Sequence, residues 1–392
     1  MKWYLKLGII YLLQFLLRIF YLAPTKKNRI LFSADGGASY LCNPKYIFES
    51  LYNKQGRSLE YIWCIKDRSK IPQKYKVKYA EPLSFRHLYY LMTSRVVIAN
   101  VGIEPFVPPR KGRIFINTWH GGGAYKKGGL SATYYSKAHM FYFKAIRNLR
   151  AKSTTYLISS NRRFSEIFEY EFRLEPNKIL PIGMPRNDVF FTSPKNLNNI
   201  RKRICNQYNI SEDSFIILYA PTYRGHESHA NRVDWTIDTD AIVKAAKDRF
   251  GKEIVVLYRC HFNVFNKRQK VFHAIDVSEY PDMQDLLASV DLLISDYSSL
   301  IWDYAMTTKP GFLYTPDLEE YCRVTKLHTP IEQWQYPYSL TTEELCDQIR
   351  NYDQSKGLKK INAHLDLLGC YEKGSATKEI CKIIEKAVFG YK

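Results

Sequence analysis

The sequence predicts an α/β fold of two domains, each a doubly wound parallel sheet, preceded by an amphipathic helix that meets a membrane. Three observations carry this. Short β-branched or aromatic runs alternate with helical stretches along most of the chain, the alternation pauses once at a proline-rich segment, and the amino terminus is apolar with a sparse polar stripe. At 392 residues the chain is too long for one compact core and suits two domains.

The amino-terminal element runs from Trp3 to Ala23. On a helical wheel at about 100° per residue, Lys2, Lys6, Gln14 and Arg18 fall within an arc of roughly 160°, and Leu, Ile, Phe, Trp and Tyr fill the rest. No small-residue cleavage site follows, since Pro24, Thr25, Lys26 and Lys27 lead directly into a strand-like run. Tryptophan, tyrosine and flanking lysine favour head-group depth, so residues 1–24 are expected to lie on a membrane surface. A spanning helix and a buried core helix are the alternatives.

Strand-like runs then recur at Arg29 to Ser33, Tyr61 to Ile65, Arg95 to Ala99, Arg113 to Asn117 and Thr155 to Ser159, with helical stretches such as Pro44 to Asn53 and Ser84 to Thr93 between them. Each crossover must return over the sheet, so strands alternating with helices imply parallel pairing. Residues 25–190 therefore read as a first Rossmann-like domain. Past the segment from Pro181 to Pro194, the pattern resumes at Phe215 to Ala220, Glu253 to Tyr258, Leu292 to Ser295 and Gly311 to Tyr314, which places a second domain at 191–340. Residues 341–392 carry helical periodicity through Leu345, Ile349, Ile380, Ile383 and Ile384 and are expected to pack back across the cleft edge. Internal repeats and low-complexity tracts are not evident.

The 58 Lys and Arg against 38 Asp and Glu leave a net charge of +20, which calls for an anionic neighbour: nucleic acid, anionic lipid or a phosphorylated substrate. A basic solubilising surface explains the same number. The eight cysteines, Cys42, Cys64, Cys205, Cys260, Cys322, Cys346, Cys370 and Cys381, show no zinc-ligand spacing and read as reduced packing thiols.

Ligands of open parallel sheets bind beyond the carboxyl ends of the strands, so the chemistry belongs just after each run. The strand ending at Asn117 runs into Thr118, Trp119, His120, Gly121, Gly122 and Gly123 and then Lys126 and Lys127. Glycines allow close backbone approach to an anion, and an imidazole titrating near neutrality suits proton removal from an attacking hydroxyl. His120 is thus the candidate general base, with a structural histidine in a Gly-rich turn as the other reading. The second half presents Thr222 and Arg224 after one strand, Arg259, Cys260 and His261 after the next, and Asp296, Tyr297, Ser298 and Ser299 after a third, with Asp303 one helical turn on. Guanidinium groups pair with phosphate oxygens bidentately, and a hydroxyl-rich helix start offers further donors. Plain helix capping accounts for Asp296 to Ser299 almost as well, and capping is the stronger reading for Asp238 and Asp240. With cations and amide dipoles at the strand ends, no metal site is expected.

These segments resemble the CDP-glycerol glycerophosphotransferases of wall teichoic acid synthesis. The resemblance covers about Arg29 to Ile384 in order: Thr118 to Lys127, Gly183 to Asp188, Pro221 to Gly225, Arg259 to His261, Ser295 to Asp303, Lys309 to Tyr314, Asp317 to Tyr321 and Gly374 to Ala376. Two departures stand out. The family's first histidine is usually followed by Gly-Thr-Pro, where this chain has three glycines, and its second lies in an Arg-Pro-His-Pro-like context, where this chain has Cys260 and Phe262.

The resemblance implies two facing Rossmann-like domains, the GT-B fold. It implies transfer of glycerol phosphate from CDP-glycerol to a hydroxyl of a polyprenyl-diphosphate-linked acceptor, with release of CMP. His120 and His261 would be the catalytic histidines. Thr222, Arg224, Arg259, Asp296, Ser298, Ser299 and Asp303 would bind the donor, while Gly121, Gly122, Gly123, Lys126 and Lys127 would face the acceptor. No obligatory cofactor and no nucleic acid are implied. The place of work would be an anionic membrane surface, the cytoplasmic face of a bacterial cell membrane, reached peripherally. A CDP-ribitol or other polyol-phosphate polymerase, and a GT-B glycosyltransferase using a nucleotide sugar, are the enzymatic alternatives; a basic surface binder is the non-enzymatic one.

Overall fold

The computed structural model describes residues 2–127, 129–131, 136–222, 237–260, 271 and 273–390. The chain forms two compact units. The first is Met1–Gly122 with Gly128–Asp188 and Cys370–Lys392, and the second is Gly123–Lys127 with Val189–Gly369.

The first unit opens with helix α1 (Lys2–Leu17) and continues through β1 (Lys26–Ser33), α2 (Cys42–Gln55), β2 (Glu60–Cys64), β3 (Lys78–Ala80), α3 (Phe85–Thr93), β4 (Ser94–Ala99), β5 (Ile114–Asn117), α4 (Lys137–Ser153), β6 (Tyr156–Ser159), α5 (Arg162–Phe172) and β7 (Ile179–Pro181). Its seven strands run in the order β3-β2-β1-β4-β5-β6-β7, every pair parallel. Ile30, Leu31 and Phe32 are all buried, the continuous apolar run that a strand covered on both faces requires. Ser84, Ser136 and Asn161 cap α3, α4 and α5 by accepting from the third backbone amide on.

The second unit repeats the plan with α6 (Pro194–Tyr208), β8 (Phe215–Tyr219), α7 (Thr239–Phe250), β9 (Ile254–Tyr258), β10 (Ile275–Asp276), α8 (Met283–Ser289), β11 (Leu292–Ser295), α9 (Leu300–Ala305), β12 (Gly311–Tyr314), α10 (Leu318–Val324), β13 (Tyr338–Ser339), α11 (Thr342–Arg350) and α12 (Gln354–Leu368). Its six parallel strands lie in the order β10-β9-β8-β11-β12-β13. Asp238 caps α7 by accepting from Ala241, the capping role weighed for it above.

Every strand expected from sequence is present, and the sheets add four. β3, β7, β10 and β13 hold two or three residues each and form the outer edges of the two sheets. A run that short carries no alternation for a pattern to reveal. The histidine strand is consequently the fifth of the chain rather than the fourth.

The carboxyl-terminal segment does not act as one group. α11 packs on α7, β12 and β13 and contributes Leu345, Cys346 and Ile349 to the second core. From Cys370 onward the chain belongs to the first unit, where α13 (Ala376–Phe389) packs on α2, β1 and β4. Two carboxylates fix this return. Asp188 accepts from the amides of Ala376 at 3.1 Å and Thr377 at 2.7 Å, capping a helix whose own N-cap residue, Ser375, makes no side-chain cap. Glu372 accepts from Met184 N at 2.9 Å, Asn187 Nδ2 at 3.1 Å and Ser160 Oγ. Gly183 has φ +85°, and a Cβ there would stand 2.6 Å from the Glu372 carboxylate, so the approach needs glycine.

α1 packs on α4, with Ile10 meeting Ile146 and Leu149. The wheel reading needs one correction. Gln14 belongs to the buried stripe with Ile10 and Leu17, because its Nε2 donates to the Pro105 carbonyl at 2.7 Å; Lys2, Lys6 and Arg18 stay exposed. The outward face is apolar, including Leu5, Ile9, Leu12, Phe15, Leu16 and Ile19. The 21 residues Lys2–Leu22 are apolar and long enough to cross a membrane by length and composition.

Candidate active site at the strand ends

In both sheets the strand order reverses at one point, between β1 and β4 in the first and between β8 and β11 in the second, where open sheets bind ligands. The two switch points are built alike. In the first, Asp35 N donates to Asn100 Oδ1 and Asn100 Nδ2 donates to Asp35 Oδ1, both at 2.8 Å. In the second, Thr222 N donates to both carboxylate oxygens of Asp296, at 3.0 and 2.8 Å. In each case the residue just past the inner crossover strand ties down the backbone leaving its neighbour.

His120 stands beside the first switch point, three residues past β5. Its Nδ1 lies 2.8 Å from the Asn100 carbonyl. A carbonyl only accepts, so Nδ1 carries the proton of the neutral ring and Nε2 holds the lone pair. The ring stacks on Trp119 with centroids 4.3 Å apart, and it remains open to solvent on its outer side. Desolvation by the packed strand ends lowers its pKa; the Arg186 charge lowers it further, while the Asn100 hydrogen bond and the Asp35 charge oppose. The side chain is therefore neutral at neutral pH.

The backbone that presents His120 is strained. Trp119 has φ +51°, a left-handed conformation that costs an L-residue on the order of 1–3 kcal/mol. Buried groups hold it there: Trp119 N donates to Asn117 Oδ1 at 3.0 Å, and the Thr118 and Trp119 carbonyls accept from Asn43 Nδ2 at 3.1 and 2.9 Å. Gly122 O accepts from Asn161 Nδ2 at 2.7 Å, so the glycine turn is anchored in the first unit up to that residue.

Beyond Gly122 the expectation changes. Gly123, Lys126 and Lys127 were expected in the first domain, yet they belong to the second unit. Lys126 forms a β-bridge with Leu327, Lys127 N donates to Lys326 O at 2.7 Å, and His328 N donates to Tyr125 O at 2.7 Å. Tyr125 is the reason: its ring stacks on Trp334 at 3.7 Å and its hydroxyl lies 2.6 Å from His364 Nε2, both deep in the second unit. A Cβ at Gly123 would run into that ring.

The second unit gathers Thr222, Arg259, Asp296, Ser298 and Ser299 at the carboxyl ends of β8, β9 and β11. Arg259 is half-buried, and its Nη1 donates to Tyr280 O at 2.7 Å. Burial lowers its pKa, against Asp282 and other neighbours that raise it, without removing its charge at neutral pH. Ser298 and Ser299 are half-exposed; Ser298 Oγ accepts from Leu300 N at 3.3 Å, and Ser299 precedes an α9 of only 6 residues. Asp303 lies on α9 with no exposed surface and accepts from Gln284 Nε2 at 3.2 Å. Arg224 and His261 lie outside the described residues.

Sequence reasoning missed Asp35, Asn43, Asn100 and Arg186. Asn100 directly follows β4 and Asp35 lies two residues past β1, so both answer to the same strand-end rule that singled out His120. Asn43 and Arg186 reach the site from elsewhere in the chain; Arg186 lies in the Gly183 to Asp188 segment of the resemblance, and nothing local marks Asn43.

The family model for CDP-glycerol:poly(glycerophosphate) glycerophosphotransferases matches residues 15–386. The teichoic acid poly(glycerol phosphate) polymerase of Bacillus spizizenii is 29% identical over 93% of this chain and 93% of its own length. Its counterpart in Staphylococcus epidermidis is also 29% identical over 93% of this chain, which spans 51% of that relative. A teichoic acid ribitol-phosphate polymerase of Staphylococcus aureus is 27% identical over 91% of this chain. Among solved structures, a variant of the wall teichoic acid polymerase TagF superposes with a TM-score of 0.84 at 26% identity, covering 95% of this chain and 93% of that one, and a variant soaked with CDPG gives 0.83.

Proposed function

Because the chain belongs to the CDP-glycerol:poly(glycerophosphate) glycerophosphotransferase family, we propose that it moves glycerol phosphate from CDP-glycerol onto a hydroxyl of a lipid-linked teichoic acid precursor. The observation that carries this reading is His120: a neutral imidazole at a switch-point strand end, with its Nδ1 proton committed to Asn100 and its Nε2 lone pair available.

In the proposed reaction the acceptor hydroxyl gives its proton to His120 Nε2 as its oxygen attacks the glycerol-bearing phosphorus. The new P–O bond forms as the bond to the CMP phosphate breaks, and CMP leaves with that electron pair. Arg259 and the hydroxyls of Ser298 and Ser299, with Arg224 and His261, would hold the diphosphate as charge builds on it. Thr222 and Asp296 shape the donor end of β8 and β11, and Gly121, Gly122, Gly123, Lys126 and Lys127 form the stretch nearest the acceptor. The reading assigns charge neutralisation to these cations and requires no cofactor.

The apolar outward face of α1, flanked by Lys2, Lys6, Arg18, Lys26 and Lys27, suits shallow insertion among anionic head groups while its inner stripe stays on α4. We assign the enzyme to the cytoplasmic membrane face on that ground, bound peripherally.

Purified protein is to be incubated with a lipid-linked acceptor in anionic vesicles and with CDP-glycerol, CDP-ribitol or a nucleotide sugar in turn. CMP release dependent on acceptor and fastest with CDP-glycerol is the expected result. Preference for CDP-ribitol would move the enzyme to its ribitol-using relatives, and turnover of the nucleotide sugar alone would overturn the reading. Substituting Glu at Leu12 and Leu16 should reduce vesicle binding while sparing turnover of a soluble acceptor analogue.

A further inference from the structure

We propose that Asn43, in the first turn of α2, is a positioning residue that locks the backbone before His120 and so aims the imidazole at the acceptor hydroxyl. The inference rests on the catalytic reading of His120 given above. Asn43 has no exposed surface, and its amide bonds to two separate strand ends. Nδ2 donates to Thr118 O at 3.1 Å and Trp119 O at 2.9 Å, past β5, with Met184 Sδ at 3.4 Å; Oδ1 accepts from Arg186 N at 3.0 Å, past β7. Only this orientation of the amide matches donors to acceptors, since both carbonyls accept and the Arg186 N–H donates.

Two consecutive carbonyls turn toward this one side chain, with the left-handed Trp119 between them. Without a donor at position 43, the Thr118 and Trp119 carbonyls would lose the Asn43 amide, leaving the Trp119 strain opposed by the Asn117 contact and by the Thr118 hydroxyl, which reaches the Trp119 carbonyl at 3.3 Å. The peptide would relax, carrying the next residue with it. His120 depends on that backbone for the contact between Nδ1 and the Asn100 carbonyl, which selects the tautomer with a free Nε2. Asn43 thus governs which nitrogen of His120 is basic without touching the substrate. Its neighbour Cys42 also has a positive φ, +60°, so the entry into α2 is itself bent to bring the amide into place.

The test uses the full chain with Asn43→Asp and Asn43→Ala. The aspartate keeps size and shape and favours a helix start, but it presents oxygen to both carbonyls. Turnover with CDP-glycerol should fall about 10- to 100-fold in both variants, with KM for the donor within about threefold, as expected when a transition-state contact is misplaced. Nitrogen-15 NMR of the histidines should show His120 as the Nδ1–H tautomer in the unmodified protein and as a mixture in the variants. A lowered thermal midpoint with unchanged turnover and an unchanged His120 tautomer would mark Asn43 as structural only and overturn the proposal. If the unmodified chain releases no CMP, the functional reading fails by itself. The NMR result then decides the clamp alone, an unaltered His120 spectrum in both variants counting against it.

Discussion

Asp35 and Arg186 pull the His120 pKa in opposite directions, the carboxylate up and the guanidinium down, after desolvation has already lowered it. A base works in its neutral form, so a lowered pKa extends activity toward acid. The acid limb of kcat/KM is expected below the ordinary histidine value of about 6.5. Asp35→Asn removes a charge that stabilises the imidazolium and should shift that limb to still lower pH; a shift upward in the pH–rate profile would contradict the assigned electrostatics. His120, proposed as the general base, stood out in the sequence because glycines and cations follow the end of an apolar strand. The groups that tune it did not, since Asn43 acts from the start of α2 and Arg186 from beyond β7.

Among the elements, the long strands and most helices could be read from apolar runs and caps, while the edge strands could not. The segment Gly183–Asp188 is instructive. In the sequence it carried part of the family resemblance with no role attached, and in the structure Asn187 and Asp188 hold the carboxyl-terminal return of the chain, through Glu372 and the amino end of α13. Such contacts join residues far apart in sequence, so no local pattern announces them. Asp188→Ala should expose two amides of α13 and lower stability by about 1 kcal/mol, the usual worth of a lost N-cap. Urea unfolding would register it as a lower midpoint with an unchanged slope; an unaltered midpoint would mean the cap contributes nothing. The turn after His120 shows the reverse limitation: Gly123 to Lys127 follows the first sheet in sequence but belongs to the second unit, because burying Tyr125 against Trp334 outweighs adjacency along the chain.

Over the whole molecule, two buried histidines, one in each unit, contribute to the response to acid. His87 in the first unit and His364 in the second are both lowered to a pKa of about 4 by desolvation. His87 Nδ1 also accepts from Leu83 N at 3.1 Å, a bond that protonation would abolish. Each ring is neutral when folded and takes up a proton more readily when unfolded. Their stabilising contribution is therefore complete above pH 6.5 and is lost as pH falls toward 4, by up to about 3 kcal/mol per histidine across that range. The thermal midpoint should drop between pH 7 and pH 5, and His87→Gln should flatten the fall; a midpoint constant over that interval would contradict the burial argument. The parallel sheets and the two-unit plan followed from alternation alone, but the crossing of Gly123–Lys127 and the return at Cys370 depend on tertiary packing.

The most direct test of the central claim is single-turnover CMP release by His120→Ala, with CDP-glycerol affinity measured separately by calorimetry. A general base contributes about 10²- to 10⁴-fold, so turnover should fall by that factor while donor affinity stays near that of the unmodified protein. Turnover undiminished in the folded variant would contradict the account.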